Sequence, residues 1–208
     1  VYEIRAISDV VTPDGTLRYA AGELVDTITT GEDGIAKSRE LYLGKYSVVE
    51  VQAPHGMLLN SETHEVELTY AGQEIAVTET ATDFYNERQK VSVNLSKVME
   101  QNEKYGIGAN GEVVNVSFGL YAAEELISAS GTTIPADGLI EILMVDENGK
   151  AVVSSDLPLG KYYVKEIATD SHYLLNDAKY PFEFAYAGQT VELVEITAND
   201  GKDIENDL

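Results

Sequence analysis

"LYLGKYSVVE" at residues 41–50 returns nearly unchanged as "LPLGKYYVKE" at 157–166. In both, Gly-Lys-Tyr opens a run of period two, which places Tyr, Val and the closing Glu on one face of a strand. The spacing of 116 (157 − 41) also carries Leu58, Leu59 and Asn60 onto Leu174, Leu175 and Asn176, and "YAGQ" at 70–73 onto "YAGQ" at 186–189. Upstream, Gly15 and Gly22 fall on Gly131 and Gly138. A register held over this length means two copies of one fold, with expected bounds of 1–89 and 90–208.

Strand patterns fill both copies: "KYSVVEVQ", "HEVELTY", "EIAVTET", "VSVNLSK", "VVNVSFGLY", "GLIEILMV", "KYYVKEI", "YPFEFAY" and "TVELVEIT". Turn residues separate them, as in "PDG" at 13–15, "EDG" at 32–34 and "NG" at 110–111 and 148–149. Many short strands with little helical periodicity predict an all-β chain, an antiparallel sandwich or small barrel in each copy. Short helical turns are expected only at "AAEEL" (122–126) and "VMEQNEKYG" (98–106). Tyr2 and Ile4 align with Phe118 and Leu120, so a first-copy counterpart of "VSVNLSK" (91–97) would precede residue 1, and the chain reads as an interior piece of something longer. With almost no linker between the copies, a rod of stacked modules is expected.

Acidic residues outnumber basic ones 36 to 14, for a net charge of -22. That excludes nucleic acid and anionic membrane as natural partners, because both need clustered Lys and Arg. No apolar run is long enough to span a bilayer. Without cysteine no disulfide can cross-link the fold, so any covalent link must come from other chemistry.

Three residues break the apolar faces of the second copy. Val91, Val93 and Leu95 are followed on their face by Lys97; Tyr162 and Val164 by Glu166; and Asn206 lies between Ile204 and Leu208. An isolated buried charge costs several kcal/mol, so these groups need one another. One reading is a satisfied polar cluster or strand ends that turn outward. The other is reaction. A desolvated lysine shifts toward the neutral, nucleophilic amine, and a carboxyl desolvated the same way shifts toward the neutral acid. Such an acid can donate to an asparagine amide oxygen and pass a proton to departing ammonia, leaving a Lys97–Asn206 amide with Glu166 as the catalyst.

The stretch "GKYSVVEVQAPHGM" at 44–57 resembles the signature of Cna B-type, prealbumin-like (SpaA-type) repeats of Gram-positive pilins and adhesins: Gly-x-Tyr-x-x-x-Glu, then Ala-Pro-x-Gly and an aromatic. Glu50 and Ala53 to Gly56 match it, and Met57 replaces the aromatic. The second copy keeps Gly160, Tyr162, Glu166 and Tyr173 but reads "ATDSHY" through the turn, and "FGLYAAEE" at 118–125 is similar to the family's second strand. The resemblance implies two tandem Cna B-like β-sandwich domains and a self-generated isopeptide bond between Lys97 and Asn206, catalysed by Glu166. In the first copy it supplies only Glu50 and Asn86, without a lysine. It further implies a monomeric, non-enzymatic stalk module on a bacterial cell surface, whose partners are neighbouring modules of the same protein. The alternative is an adhesin whose loops bind a host protein or glycan.

Other features carry less. Asp170, Ser171 and His172 are too close in one turn for triad geometry. His55, His64 and His172 lack metal-ligand spacing, "NDGKDIEND" lacks the closing glutamate of a calcium loop, and no metal or cofactor is expected. "NLS" at 94 and "NVS" at 115 read as strand residues rather than glycan acceptors.

Overall fold

The computed structural model describes residues 1–128 and 130–208. It divides into two compact units, Val1–Arg88 with Gly188–Thr190, and Gln89–Ala187 with Val191–Leu208.

Unit 1 is built on strands β1 (Tyr2–Ala6), β4 (Leu24–Ile28), β5 (Gly44–Glu50) and β6 (Thr63–Leu68), which form one antiparallel sheet in the order β4-β1-β5-β6. A small hairpin joins β2 (Val10–Val11) to β3 (Leu17–Tyr19). Period-two alternation puts Tyr46, Val48 and Glu50 on the buried face of β5, with Ile4, Ala6, Val10 and Val25 packed against the first two.

Unit 2 repeats that sheet. Strands β8 (Ser117–Ala122), β11 (Leu139–Met144), β13 (Gly160–Ala168) and β14 (Lys179–Phe184) lie in the order β11-β8-β13-β14. Even the register is kept: Tyr2, Ile4 and Ala6 face Glu50, Val48 and Tyr46, as Phe118, Leu120 and Ala122 face Glu166, Val164 and Tyr162. The signature tyrosine does the same work twice. Each buried phenol donates to the carbonyl four residues back, Tyr46 to Tyr42 and Tyr162 to Pro158. The pair β9 (Leu126–Ile127) and β10 (Thr133–Ile134) echoes the small hairpin.

A second sheet then closes unit 2 into a sandwich. Its centre is β7 (Lys90–Met99), flanked by β12 (Lys150–Val152) and β15 (Leu193–Thr197), with β16 (Ile204–Asn206) also paired to β7. Val93, Leu95, Ala151 and Ile204 from this sheet meet Phe118, Leu120, Tyr162, Val164 and Phe184 from the other.

Several expectations need correction. The sheets are not wholly antiparallel, since β15 and β16 both run parallel to β7. "EIAVTET" (74–80) is outside any strand although its pattern fits one; among the described residues no strand pairs with it. Neither 122–126 nor 98–106 is helical; the short 3-10 turns are Glu112–Asn115 and Asn199–Gly201.

Candidate functional site

The alternation of β7 carries Val93, Leu95 and Lys97 inward, and Lys97 is only 2% exposed. Its Nζ donates to the backbone oxygens of Val98 (2.7 Å) and Ile204 (3.0 Å). The second contact belongs to β16, where Ile204 pairs with Lys97 and Asn206 with Met99. Lys97 and Asn206 are therefore diagonal neighbours on adjacent parallel strands, and both face the core.

Glu166, at the inward end of β13, is fully buried. Its Oε1 accepts from Asn206 Nδ2 at 2.8 Å and from the Asn176 backbone N–H at 3.1 Å. Asn206 Nδ2 also donates to Leu174 O at 2.5 Å and Thr169 Oγ1 at 3.3 Å. Glu166 Oε2 and Asn206 Oδ1 are buried with no hydrogen-bond partner. The structure thus brings Lys97, Glu166 and Asn206 into one buried cluster.

The amide orientation differs from the expected one. The carboxyl meets the nitrogen of Asn206, the leaving atom in amide exchange, and not the oxygen. Leu174 O fixes this, since only the amide nitrogen can donate to it. Burial holds the Lys97 pKa down to about 8, against the opposing pull of Glu166, Glu205 and Asp207. At neutral pH an appreciable fraction of such an amine is unprotonated. A shallow cleft lined by Val98, Met99, Glu100, Glu205, Asn206 and Asp207 opens beside the amide.

Unit 1 holds two of the three groups. Glu50, 2% exposed, accepts at Oε2 from Asn86 Nδ2 (2.6 Å) and the Asn60 N–H (2.7 Å), and Asn86 Nδ2 also donates to Leu58 O (2.9 Å).

Sequence reasoning assigned no role to Asn60, Asn176, Leu58 or Leu174, yet these hold the carboxyl and the amide in both units. Their signal was the repeated "LLN" at 58–60 and 174–176. Asn60 and Asn176 further secure the amide-bearing segment, donating from Nδ2 to Tyr85 O and Glu205 O. Thr169 had no such signal.

His172 Nδ1 lies 2.6 Å from Asp170 Oδ1, and Asp170 also binds Asn115 Nδ2 and the His172 N–H, so the pair is part of a turn. Among the described residues no group of His, Cys, Asp and Glu is arranged to hold a metal, and no helix is long and apolar enough to cross a membrane.

The SpaA prealbumin-like fold domain matches residues 9–83 and 92–202, one segment in each unit and most of the chain. The chain belongs to that family. The trypsin-resistant surface T6 protein of Streptococcus pyogenes serotype M6 is 30% identical over 80 residues, 38% of this chain and 15% of T6. Among solved structures, the Bacillus anthracis TIE protein superposes with a TM-score of 0.58 at 23% identity, over 99% of this chain and 30% of TIE. A C-terminal fragment of the pilus adhesin SpaC from Lactobacillus rhamnosus GG is 14% identical, with a TM-score of 0.44, over 99% of this chain and 87% of the fragment. The chain thus spans under a third of T6 and of TIE.

Proposed function

We propose that this chain is a structural stalk module of a Gram-positive surface protein, pilin or adhesin, and that unit 2 is locked by an amide between Lys97 and Asn206. The observation that carries this reading is the buried cluster: an amine with a lowered pKa, on the strand beside an asparagine whose amide nitrogen sits against a fully buried glutamate.

The neutral Lys97 amine attacks Asn206 Cγ, the Cγ–Nδ2 bond breaks, and ammonia leaves. Glu166 takes a proton from the attacking nitrogen and delivers it to Nδ2, 2.8 Å from its Oε1. Folding supplies the effective concentration, because the reactants belong to paired strands. The reaction occurs once per chain, so the module is not an enzyme. Joining β7 to β16 closes a loop of 109 residues (206 − 97) between the first and last strands of unit 2. Force along the chain then passes through a covalent bond, which suits a stalk outside the cell, where neighbouring modules of the same protein are the partners. Family membership and the surface assignment of T6 support that location.

Intact mass of the purified chain tests the reading, beside Lys97→Ala and Glu166→Ala. The parent is expected to be lighter than its formula by one ammonia, and both variants to match theirs. A parent at full formula mass overturns the covalent claim.

A further inference from the structure

The outer face of the shared sheet, turned away from the core, differs between the units at matching positions. Across unit 1 one row of paired residues reads Thr27, Glu3, Val49, Thr63, and the next reads Leu24, Arg5, Ser47, Glu65. Glu3 and Arg5 close on each other at 2.7 Å, so this is an ordinary solvated face. The same rows in unit 2 read Ile142, Gly119, Lys165, Lys179 and Leu139, Tyr121, Tyr163, Pro181. Positions that are mostly polar in one copy are aliphatic, aromatic and cationic in the other.

The two sides of that face offer different chemistry. Leu139, Ile142 and Met144 point outward from β11, an edge strand, and are 51%, 54% and 63% exposed. Such a run of aliphatic side chains on an edge marks a contact surface. Beside it the backbone of Gly119 is covered only by the Tyr121 ring, which a Cβ there would meet at 2.5 Å, and Tyr121 stacks on Tyr163. On the far side Lys165 and Lys179 stand directly opposite each other, a like-charged pair that disfavours the sheet. Lys179 is bound to Asp137 at 3.0 Å and lies over the Tyr163 ring. Lys165 makes no hydrogen bond or ion pair among the described residues. In a chain of 36 acidic and 14 basic residues, two facing lysines with one carboxylate between them attract an incoming anion.

We propose that the outer sheet face of unit 2 docks an extended protein segment that lays apolar side chains on β11 and carboxylates on Lys165 and Lys179. Charge complementarity selects the carboxylates, and the exposed aliphatics select apolar side chains over a sugar, which would need an open aromatic ring where Tyr163 is only 6% exposed. Size and charge argue against a second copy. Four strands about 4.8 Å apart and about five residues long present about 250 Å², against about 800 Å² per partner in a stable interface. Two chains of net charge -22 also repel. The strand spacing sets the pattern of the segment: β11 and β14 are about 14 Å apart, so apolar and acidic residues about four positions apart in an extended chain reach both sides. This surface is independent of the Lys97–Asn206 reading.

The test is titration of the full chain with the N-acetylated, C-amidated peptide LSLSDSD, followed by NMR at the backbone amides. Shifts are expected at Gly119, Ile142 and Lys165 and not at Glu3, Thr27 and Val49, and they should weaken with added salt. Affinity should fall about tenfold in Lys165→Glu, where the new carboxylate sits opposite Lys179 and preserves the fold, and by a similar factor in Ile142→Asp. The control peptides LSLSNSN and SSSSDSD remove the charges and the apolar groups in turn, and each should bind more weakly than LSLSDSD. No shift at the three unit 2 amides, equal binding by either control, or equal shifts on the unit 1 face overturns the proposal.

Discussion

Units 1 and 2 share a four-stranded sheet in the same strand order and register, and they differ in what lies against it. Among the described residues, sixteen buried hydrophobic residues form the core of unit 2 and six that of unit 1. The difference traces to one strand. β7 pairs with three others and supplies Val93, Leu95 and Lys97 to the interior, and among the described residues of unit 1 no strand stands in its place. A β-sheet is assembled by pairing, so a sequence with good strand pattern stays irregular until a neighbour presents its backbone.

The largest expected effect breaks the comparison by removing the proposed covalent link from unit 2. Lys97→Met keeps most of the stem volume and deletes the nucleophile. For a loop of 109 residues (206 − 97), loss of the cross-link should cost about 4 to 5 kcal/mol by the chain-entropy account of disulfides. Guanidinium denaturation should show the unit 2 transition moving to lower denaturant while the unit 1 transition stays in place. An unmoved unit 2 transition would mean that no bond forms or that it does not restrain the unfolded chain.

A second test sharpens the comparison through pH. In Asn206→Ala the amine has no electrophile and stays titratable. Its folded pKa of about 8 lies below the ordinary 10.5, so the unfolded chain binds more protons between those values, and stability rises with pH across that window. The gain should approach about 3 kcal/mol between pH 8 and pH 10.5, relative to Lys97→Met as the baseline for every other titrating group. On the proposed reading the parent's nitrogen is an amide, and the parent should then track that baseline. A flat profile for Asn206→Ala would show that Lys97 reaches solvent.

Much of this was legible in the sequence, for reasons particular to strands. Period two alone places Lys97, Glu166 and Asn206 inward, because the preceding apolar residues fix the face. The offset of 116 carries the sheet of unit 1 onto that of unit 2 residue by residue. What the sequence left hidden depends on three-dimensional pairing. Nothing local announces that β15 and β16 run parallel to β7, or that "EIAVTET" pairs with no strand among the described residues. The orientation of the Asn206 amide is set by Leu174 O, 32 residues away in sequence, so reading the strand face could not reveal it.

The smallest effect compares two glycines in similar turns, "EDG" at 32–34 and "ENG" at 147–149. Both have left-handed backbones, φ +74 at Gly34 and φ +73 at Gly149. A Cβ on Gly34 meets nothing within 4 Å, so Gly34→Ala should cost only the left-handed penalty, about 1 to 2 kcal/mol. A Cβ on Gly149 would lie 2.2 Å from Lys97 O, and the Lys97 N–H donates to Gly149 O at 2.7 Å, so the turn is fitted against the backbone of Lys97. Neither atom can yield as a flexible side chain would. Gly149→Ala should therefore exceed the cost of Gly34→Ala by about 1 kcal/mol or more, and on refolding it should slow ammonia loss, because β7 must shift at Lys97. Equal stability losses would show that the β12 turn yields freely, and an unchanged rate of ammonia loss would show that β16 alone positions the amine.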